Sequence, residues 1–130
     1  METRNDDIVL HLPLAPSVNH YWRQIRTGRG KFISAEGRKF REQVVEEVRQ
    51  SGCDLELKSE LRIEVIVFPG DYRRRDLDNY LKALLDSLEY ACVIIDDSQV
   101  KHLTIRRVTP VKGRASMVVK IRQLPPSSMR

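Results

Sequence analysis

Cysteine is scarce in this sequence, and long apolar runs are absent. Cys53 and Cys92 are its two cysteines, and neither has a second cysteine or a histidine at the spacing of metal ligands. We therefore expect free thiols in a reducing compartment. No apolar segment approaches the length of a membrane-spanning helix, so the sequence predicts a soluble, cytoplasmic protein that does not associate with membranes.

Acidic residues are fewer than basic ones. The chain has 18 Asp and Glu against 23 Lys and Arg, which gives a formal net charge of +5. This excess favours a polyanionic partner, although net charge bears on association and not on fold. A glycine-rich phosphate loop of the form G-x-x-x-x-G-K-S/T is missing, which argues against a hydrolase of small nucleotides or phosphate esters.

The length of 130 residues corresponds to one domain. We predict a flexible N-terminal segment at 1–7, the domain at 8–123 and a disordered, proline-containing tail at 124–130. Internal repeats are absent. We expect no organic cofactor.

The hydrophobic pattern predicts two strands and two helices, followed by a hairpin. Alternating apolar residues indicate strands at 8–12 and 61–67. Ser34 is a suitable N-cap for a helix that Gly52 ends, and leucines at helical spacing follow Leu77. The last predicted element is a hairpin with arms at 103–105 and 117–121. The expected fold is therefore an α/β (α+β) domain with a mixed sheet of about four strands and two main helices packed mainly on one face.

The most informative stretch runs from Arg73 to Lys82, in the sequence Arg-Arg-Arg-Asp-Leu-Asp-Asn-Tyr-Leu-Lys. Asp76 lies at the start of the second helix, and Asp78 and Lys82 are four residues apart on one face of it. Carboxylate oxygens suit Mg²⁺, which leaves positions open for water and phosphate, and arginines can hold the anion. The alternative is structural: Asp76 caps the helix and Asp78 forms a solvated pair with Lys82.

A second carboxylate pair, Asp96-Asp97, ends the apolar run that starts at Val93. Asp76, Asp78 and Asp97 can converge if the chain returns to the N-terminal end of the helix near Ile95. Three carboxylates in one place repel unless a cation joins them, and a divalent metal is the natural cation.

A basic segment with aromatic residues precedes the first helix. Its cations could contact a nucleic-acid backbone while Tyr21 and Trp22 stack on bases. Alternatively, it is a solvated loop whose aromatic residues cover the edge of the core. The candidate DNA-binding residues of the whole chain are Arg23, Arg26, Arg29, Lys31, Arg73, Arg74 and Arg75, with Arg106, Lys112 and Arg114 as further candidates.

Together, these motifs resemble the RusA family of Holliday-junction resolvases. The matching strings are Arg74-Arg75-Asp76-Leu77-Asp78-Asn79 with Lys82, Asp96-Asp97-Ser98-Gln99-Val100, Pro16-Ser17-Val18-Asn19 and Ser34-Ala35-Glu36-Gly37. The resemblance covers about Ile8 to Arg122.

The resemblance implies a homodimeric endonuclease that depends on Mg²⁺, with Mn²⁺ as an alternative, and makes paired nicks in four-way DNA junctions. It implies that Asp76, Asp78 and Asp97 bind the metal and that Lys82 is catalytic, while the role of Asp96 stays open. Two other functions remain to be weighed, a junction-binding protein that does not cleave and a metal-dependent hydrolase of small phosphate esters.

Overall fold

The computed structural model describes residues 7–24, 31–74 and 76–126, and its main feature is a mixed sheet of four strands. The sheet order is β1-β6-β4-β5, with β1 at Ile8–Leu12, β4 at Leu61–Phe68, β5 at Val100–Arg107 and β6 at Ser116–Gln123. β6 runs antiparallel to both β1 and β4, whereas β4 and β5 are parallel. The predicted mixed sheet of about four strands is confirmed.

The predicted hairpin between β5 and β6 is wrong, because β4 lies between these two strands. Val65 of β4 is paired with Ile105 on one side and with Val119 on the other. β4 has more buried residues than the other strands of this sheet, and every second residue from Leu61 to Val67 is fully buried. A central position lets β4 bury these residues while both of its edges are hydrogen-bonded.

The two main helices are α2, at Ala35–Ser51, and α3, at Leu81–Tyr90. The predicted ends of α2 are confirmed. The Ser34 side chain accepts a hydrogen bond from the Gly37 N–H at 2.9 Å, and Gly52 adopts the left-handed conformation at the C-terminus with φ of 69°. Such a cap typically stabilises a helix by about 1 kcal/mol.

The segment before α2 is more regular than the predicted loop. It contains a four-residue helix, α1 (Val18–Tyr21), and a two-stranded ladder of β2 (Trp22–Gln24) and β3 (Lys31–Ile33). α2 approaches this segment closely at Gly37, where a Cβ atom would lie only 2.5 Å from the Tyr21 carbonyl oxygen. Tyr21 is fully buried in the core. For this residue the structure therefore favours the alternative prediction of core packing over stacking on bases.

The core is one cluster that lies between the helices and one face of the sheet. The side chains that α2 and α3 contribute to it are Phe40, Val44, Val48, Ala83, Leu84 and Leu88. Cys53 and Cys92 are free thiols. None of the helices in the described part of the chain has the length and apolar character needed to span a bilayer.

Candidate functional site

Asp76 lies where the chain enters the helical layer after β4. It occupies the N-cap position of a 3₁₀ helix, Leu77–Tyr80, which continues directly into α3. Its backbone is extended, with φ of −80° and ψ of 132°, but its side chain makes no capping hydrogen bond. Asp76 thus occupies the N-cap position of the structural alternative without the side-chain hydrogen bond of a cap, and its side chain is exposed.

Asp78 and Lys82 are both exposed on the surface of this helical segment. In the described part of the chain no ion pair within 4.0 Å joins them. The solvated pair of the structural alternative is therefore not formed between Asp78 and Lys82. Lys82 instead lines a cavity of about 240 Å³ that it shares with Asp97, Glu89, Asp86, Trp22 and Leu85.

The Asp96-Asp97 pair lies on a tightly held turn. Asp96 caps a 3₁₀ helix at Asp97–Gln99, and its side chain accepts a hydrogen bond from the Ser98 N–H at 2.9 Å. Hydrogen bonding from Ser98 holds the pKa of Asp96 below its usual value. Asp96, whose role the sequence left open, is thus the N-cap of this 3₁₀ helix.

Gln99 holds this turn through all four of its hydrogen bonds. Its Oε1 accepts from the N–H groups of Ile95 and Asp96 at 2.7 and 2.8 Å. Its Nε2 donates to the carbonyl oxygens of Leu57 and Ser59 at 2.7 and 2.9 Å. The side chain therefore connects the carboxylate turn to the segment that enters β4.

Glu89 is a further candidate site residue that the sequence did not indicate. Its Oε2 accepts a hydrogen bond from the Asp97 N–H at 2.9 Å, and carboxylate oxygens of Glu89, Asp96 and Asp97 lie within 4.8 Å of one another. Burial raises the pKa of Glu89, and the nearby charges of Asp97 and Asp96 also raise it, against the lowering effect of the Asp97 N–H. Glu89 follows Lys82 by seven residues, and residues i and i+7 share a helix face. This spacing is the sequence signal that could have indicated Glu89.

The structure separates the predicted carboxylates into two groups. Asp76 and Asp78 precede the first turn of α3, whereas Asp97 is bonded to Glu89 in its last turn. Ten helical residues span about 15 Å. Within the described part of the chain, Asp97 forms its compact carboxylate group with Glu89 and Asp96 and not with Asp76 and Asp78. The joint assignment of Asp76, Asp78 and Asp97 as metal ligands stays a prediction.

The arginines of the central stretch lie beside Asp76. Arg73 and Arg74 are exposed and line a cavity of about 670 Å³ together with Asp76 and Asn79. Arg23 and Lys31 lie on the paired strands β2 and β3, and their side chains are not described. Arg26, Arg29 and Arg75 lie outside the described residues.

The three further candidates differ in their surroundings. The Arg106 Nε lies 4.0 Å from the Glu64 Oε2, on the exposed face of the sheet. Lys112 and Arg114 are exposed in the connection between β5 and β6. Contacts of these residues with DNA stay predictions.

A hydrogen-bond network fixes α3, which carries Lys82 and Glu89. Asp86 on α3 accepts a hydrogen bond from the Tyr21 hydroxyl and one from Arg41 Nη2 at 3.0 Å. The Arg41 guanidinium also lies over the ring of Tyr90, 4.1 Å from its centroid. Burial and the bond to Asp86 raise the pKa of Tyr21, so the hydroxyl stays protonated as the donor.

Exposed carboxylates and a lysine lie on one helical segment, and Arg73 and Arg74 precede it, which suits binding of a phosphodiester. Comparison with known proteins makes the class specific, because residues 12–122 match the family model described as Endodeoxyribonuclease RusA. The chain belongs to the RusA family of endodeoxyribonucleases, and the predicted family and enzyme class are confirmed.

Several curated relatives are similar over most of their length. The crossover junction endodeoxyribonuclease of Enterobacteria phage HK97 is 45% identical over 113 residues, which cover 87% of this chain and 92% of that protein. The protein of the same name from Enterobacteria phage 82 is 39% identical over 102 residues, or 78% and 83% of the two chains. The one from Escherichia coli K12 is 37% identical over the same shares.

Proposed function

We propose that this protein resolves Holliday junctions by cutting four-way DNA with paired nicks, and that it acts in DNA recombination and repair. The observation that carries the proposal is the 45% identity, over 87% of the chain, to a crossover junction endodeoxyribonuclease. The site supports it, because the exposed carboxylate of Asp76 has no capping bond and lies in one cavity with Arg73 and Arg74.

The donor atoms of the site fit a hard divalent cation. Glu89, Asp96 and Asp97 offer only carboxylate oxygens within 4.8 Å, and Asp76 and Asp78 add two exposed carboxylates. Such ligands suit Mg²⁺ or Mn²⁺. We propose Asp76, Asp78 and Asp97 as the metal-binding residues on the basis of the family resemblance, because the structure itself groups Asp97 with Glu89 and Asp96 and not with Asp76 and Asp78. When bound, a divalent ion polarises the scissile phosphate and lowers the pKa of a water.

The side chains of this protein would then position the strand and stabilise charge. Lys82 is exposed in the cavity that Asp97 also lines, so its ammonium is available to stabilise the charge that develops on the phosphate. Arg73 and Arg74, which line a cavity with Asp76, would contact the DNA backbone there. The other proposed backbone contacts are Arg23, Arg26, Arg29, Lys31 and Arg75.

A homodimer is part of the proposal, because two symmetric nicks need two sites related by a two-fold axis. β5 is the surface that supports it. No residue of this edge strand is buried, and Leu103 remains 37% exposed although its β4 partner Ile63 is fully buried on the same face. A long unpaired edge strand favours pairing with another chain.

A gel assay with a synthetic four-way junction, a matched duplex and a single strand tests the function. Each substrate is incubated with Mg²⁺, with Mn²⁺ and with EDTA. We expect paired nicks in the junction only, and only with a metal ion. Equal junction binding with and without Mg²⁺ but no cutting would instead indicate a binding protein, and hydrolysis of a small phosphodiester without junction cutting would indicate a phosphoesterase.

A further inference from the structure

Tyr72 is the most exposed large apolar side chain in the described part of the chain. It leaves 82% of its surface in water, compared with 57% for Tyr90, whose ring is partly covered by Arg41. No ring or cation among the described residues packs on Tyr72. A single exposed apolar side chain is common on protein surfaces, so the case for Tyr72 depends on its neighbours.

Three arginines line the same cavity as Tyr72. Tyr72 lines a cavity of about 450 Å³ with Arg73, Arg74 and Arg107. The remaining lining residues are Asp71, Val108, Thr109 and Pro110. Guanidinium groups bind phosphate through paired hydrogen bonds, and an aromatic face stacks on a nucleic-acid base. The lining therefore matches a nucleotide, which has an anionic phosphate and a flat base.

The backbone that carries Tyr72 is anchored on both sides. Gly70 has φ of +80°, and a Cβ there would lie 3.0 Å from Ala115. The Gly113 N–H donates to the Gly70 carbonyl oxygen at 3.1 Å, which joins this loop to the connection between β5 and β6. The Asp71 carboxylate accepts the Arg73 N–H at 3.0 Å. An anchored backbone limits the conformational entropy that this loop loses on binding, while the ring itself stays accessible to a base.

We propose that this cavity binds one nucleotide of the junction, with its base stacked on Tyr72 and its phosphate held by the neighbouring arginines. The inference rests on the proposed function and adds a specificity residue to it. In a duplex both faces of each base are already stacked, whereas base pairs at a crossover can expose a face. Tyr72 should therefore strengthen binding to the junction more than binding to a duplex, and it lies only four residues before Asp76.

The test compares the wild type with Tyr72→Ala and Tyr72→Phe in EDTA, where binding is measured without cutting. Loss of one stacked base should weaken junction binding by at least about fivefold. Tyr72→Phe retains the aromatic face and should bind like the wild type. Leu55→Ala is the matched control, because Leu55 is also a surface apolar residue, 57% exposed, but lies between α2 and β4. Duplex binding should change less than twofold in all variants.

A crosslink provides a readout that a general loss of affinity would not give. Junctions with 5-iododeoxyuridine at single positions next to the crossover are irradiated with the protein, and the crosslinked residue is found by peptide mapping. We expect a crosslink to Tyr72 at one position, and none with the same base in a duplex.

Wild-type cutting of the junction in Mg²⁺ is measured in parallel, so that the two ideas can fail separately. If the wild type cuts junctions but Tyr72→Ala binds them equally well and no crosslink maps to residue 72, the stacking inference is wrong and the proposed function stands. If the wild type neither cuts nor prefers junctions, the proposed function fails.

Discussion

At the scale of single residues, the charges of Asp76, Asp78 and Asp97 matter most for the proposed reaction. We expect Asp76→Asn, Asp78→Asn and Asp97→Asn each to slow cleavage by at least about 100-fold, since even partners of metal ligands are worth about 10- to 100-fold. Junction binding should stay intact or become tighter, because a negative charge near the phosphates is removed. Nicking rates and gel-shift affinities measure the two effects.

Asp54→Asn is the matched control for these variants, because it also removes an exposed carboxylate, between α2 and β4. It should cut at the wild-type rate. Full cleavage by one of the three aspartate variants would remove that residue from the catalytic set.

Lys82 is the residue whose effect should appear in the rate and not in the affinity. We expect Lys82→Ala to lower kcat by about 100-fold or more at saturating junction, since its ammonium acts on charge that develops in the transition state. The dissociation constant should change by less than about threefold. Single-turnover cleavage and gel shifts give the two values.

The control for Lys82 is Lys39→Ala, which removes one exposed ammonium from α2. Its kcat should match that of the wild type. A Lys82→Ala variant that binds poorly but cuts normally once bound would make Lys82 a backbone contact only.

At the scale of secondary-structure elements, the turn that carries Asp97 depends on Gln99. Gln99→Glu keeps the shape but replaces the Nε2 donor, so that a carboxylate oxygen faces the Leu57 and Ser59 carbonyls. We expect a loss of about 1–3 kcal/mol in the free energy of unfolding, measured by urea titration. We also expect a higher Mg²⁺ requirement for cleavage, because the position of Asp97 becomes less defined.

Gln123→Glu is the comparison variant, since the Gln123 side chain is exposed and accepts a hydrogen bond from the Ser59 hydroxyl at 3.0 Å, which glutamate also accepts. It should be close to the wild type in both measurements. If Gln99→Glu has wild-type stability and metal dependence, Gln99 does not position the turn.

At the scale of the whole molecule, β5 and β1 are the two edges of the sheet, but they differ in burial. β1 buries Leu10 and Leu12, whereas β5 has no buried residue. We expect the wild type to sediment with twice the 15.1 kDa mass of one chain. Leu103→Lys should shift it to a monomer that makes unpaired nicks in a cruciform plasmid, because a charge on an edge strand opposes pairing.

Val9→Lys is the corresponding change on β1, where Val9 is 40% exposed. It should remain a dimer and give paired nicks. A wild-type monomer that yields only singly nicked plasmid would contradict the proposed resolvase, and a dimer in both lysine variants would place the interface elsewhere.

The sequence alone determined the features that depend on neighbouring residues. Ser34 and Gly52 mark the ends of α2, and the alternation from Leu61 to Val67 indicates β4, because capping and burial periodicity are local properties of the chain. The motifs around Asp76 and Asp97 were likewise sufficient to identify the family, since they are read directly as residue types and spacings.

Only the tertiary structure decided which distant segments meet. The position of β4 between β5 and β6 depends on how the whole sheet buries its apolar face, which no single strand pattern specifies. The contact of Glu89 with Asp97 depends on where the chain returns along α3, and this return placed Asp97 at the opposite end of the helix from Asp76. Local spacing cannot encode that choice, because it is made by long-range packing.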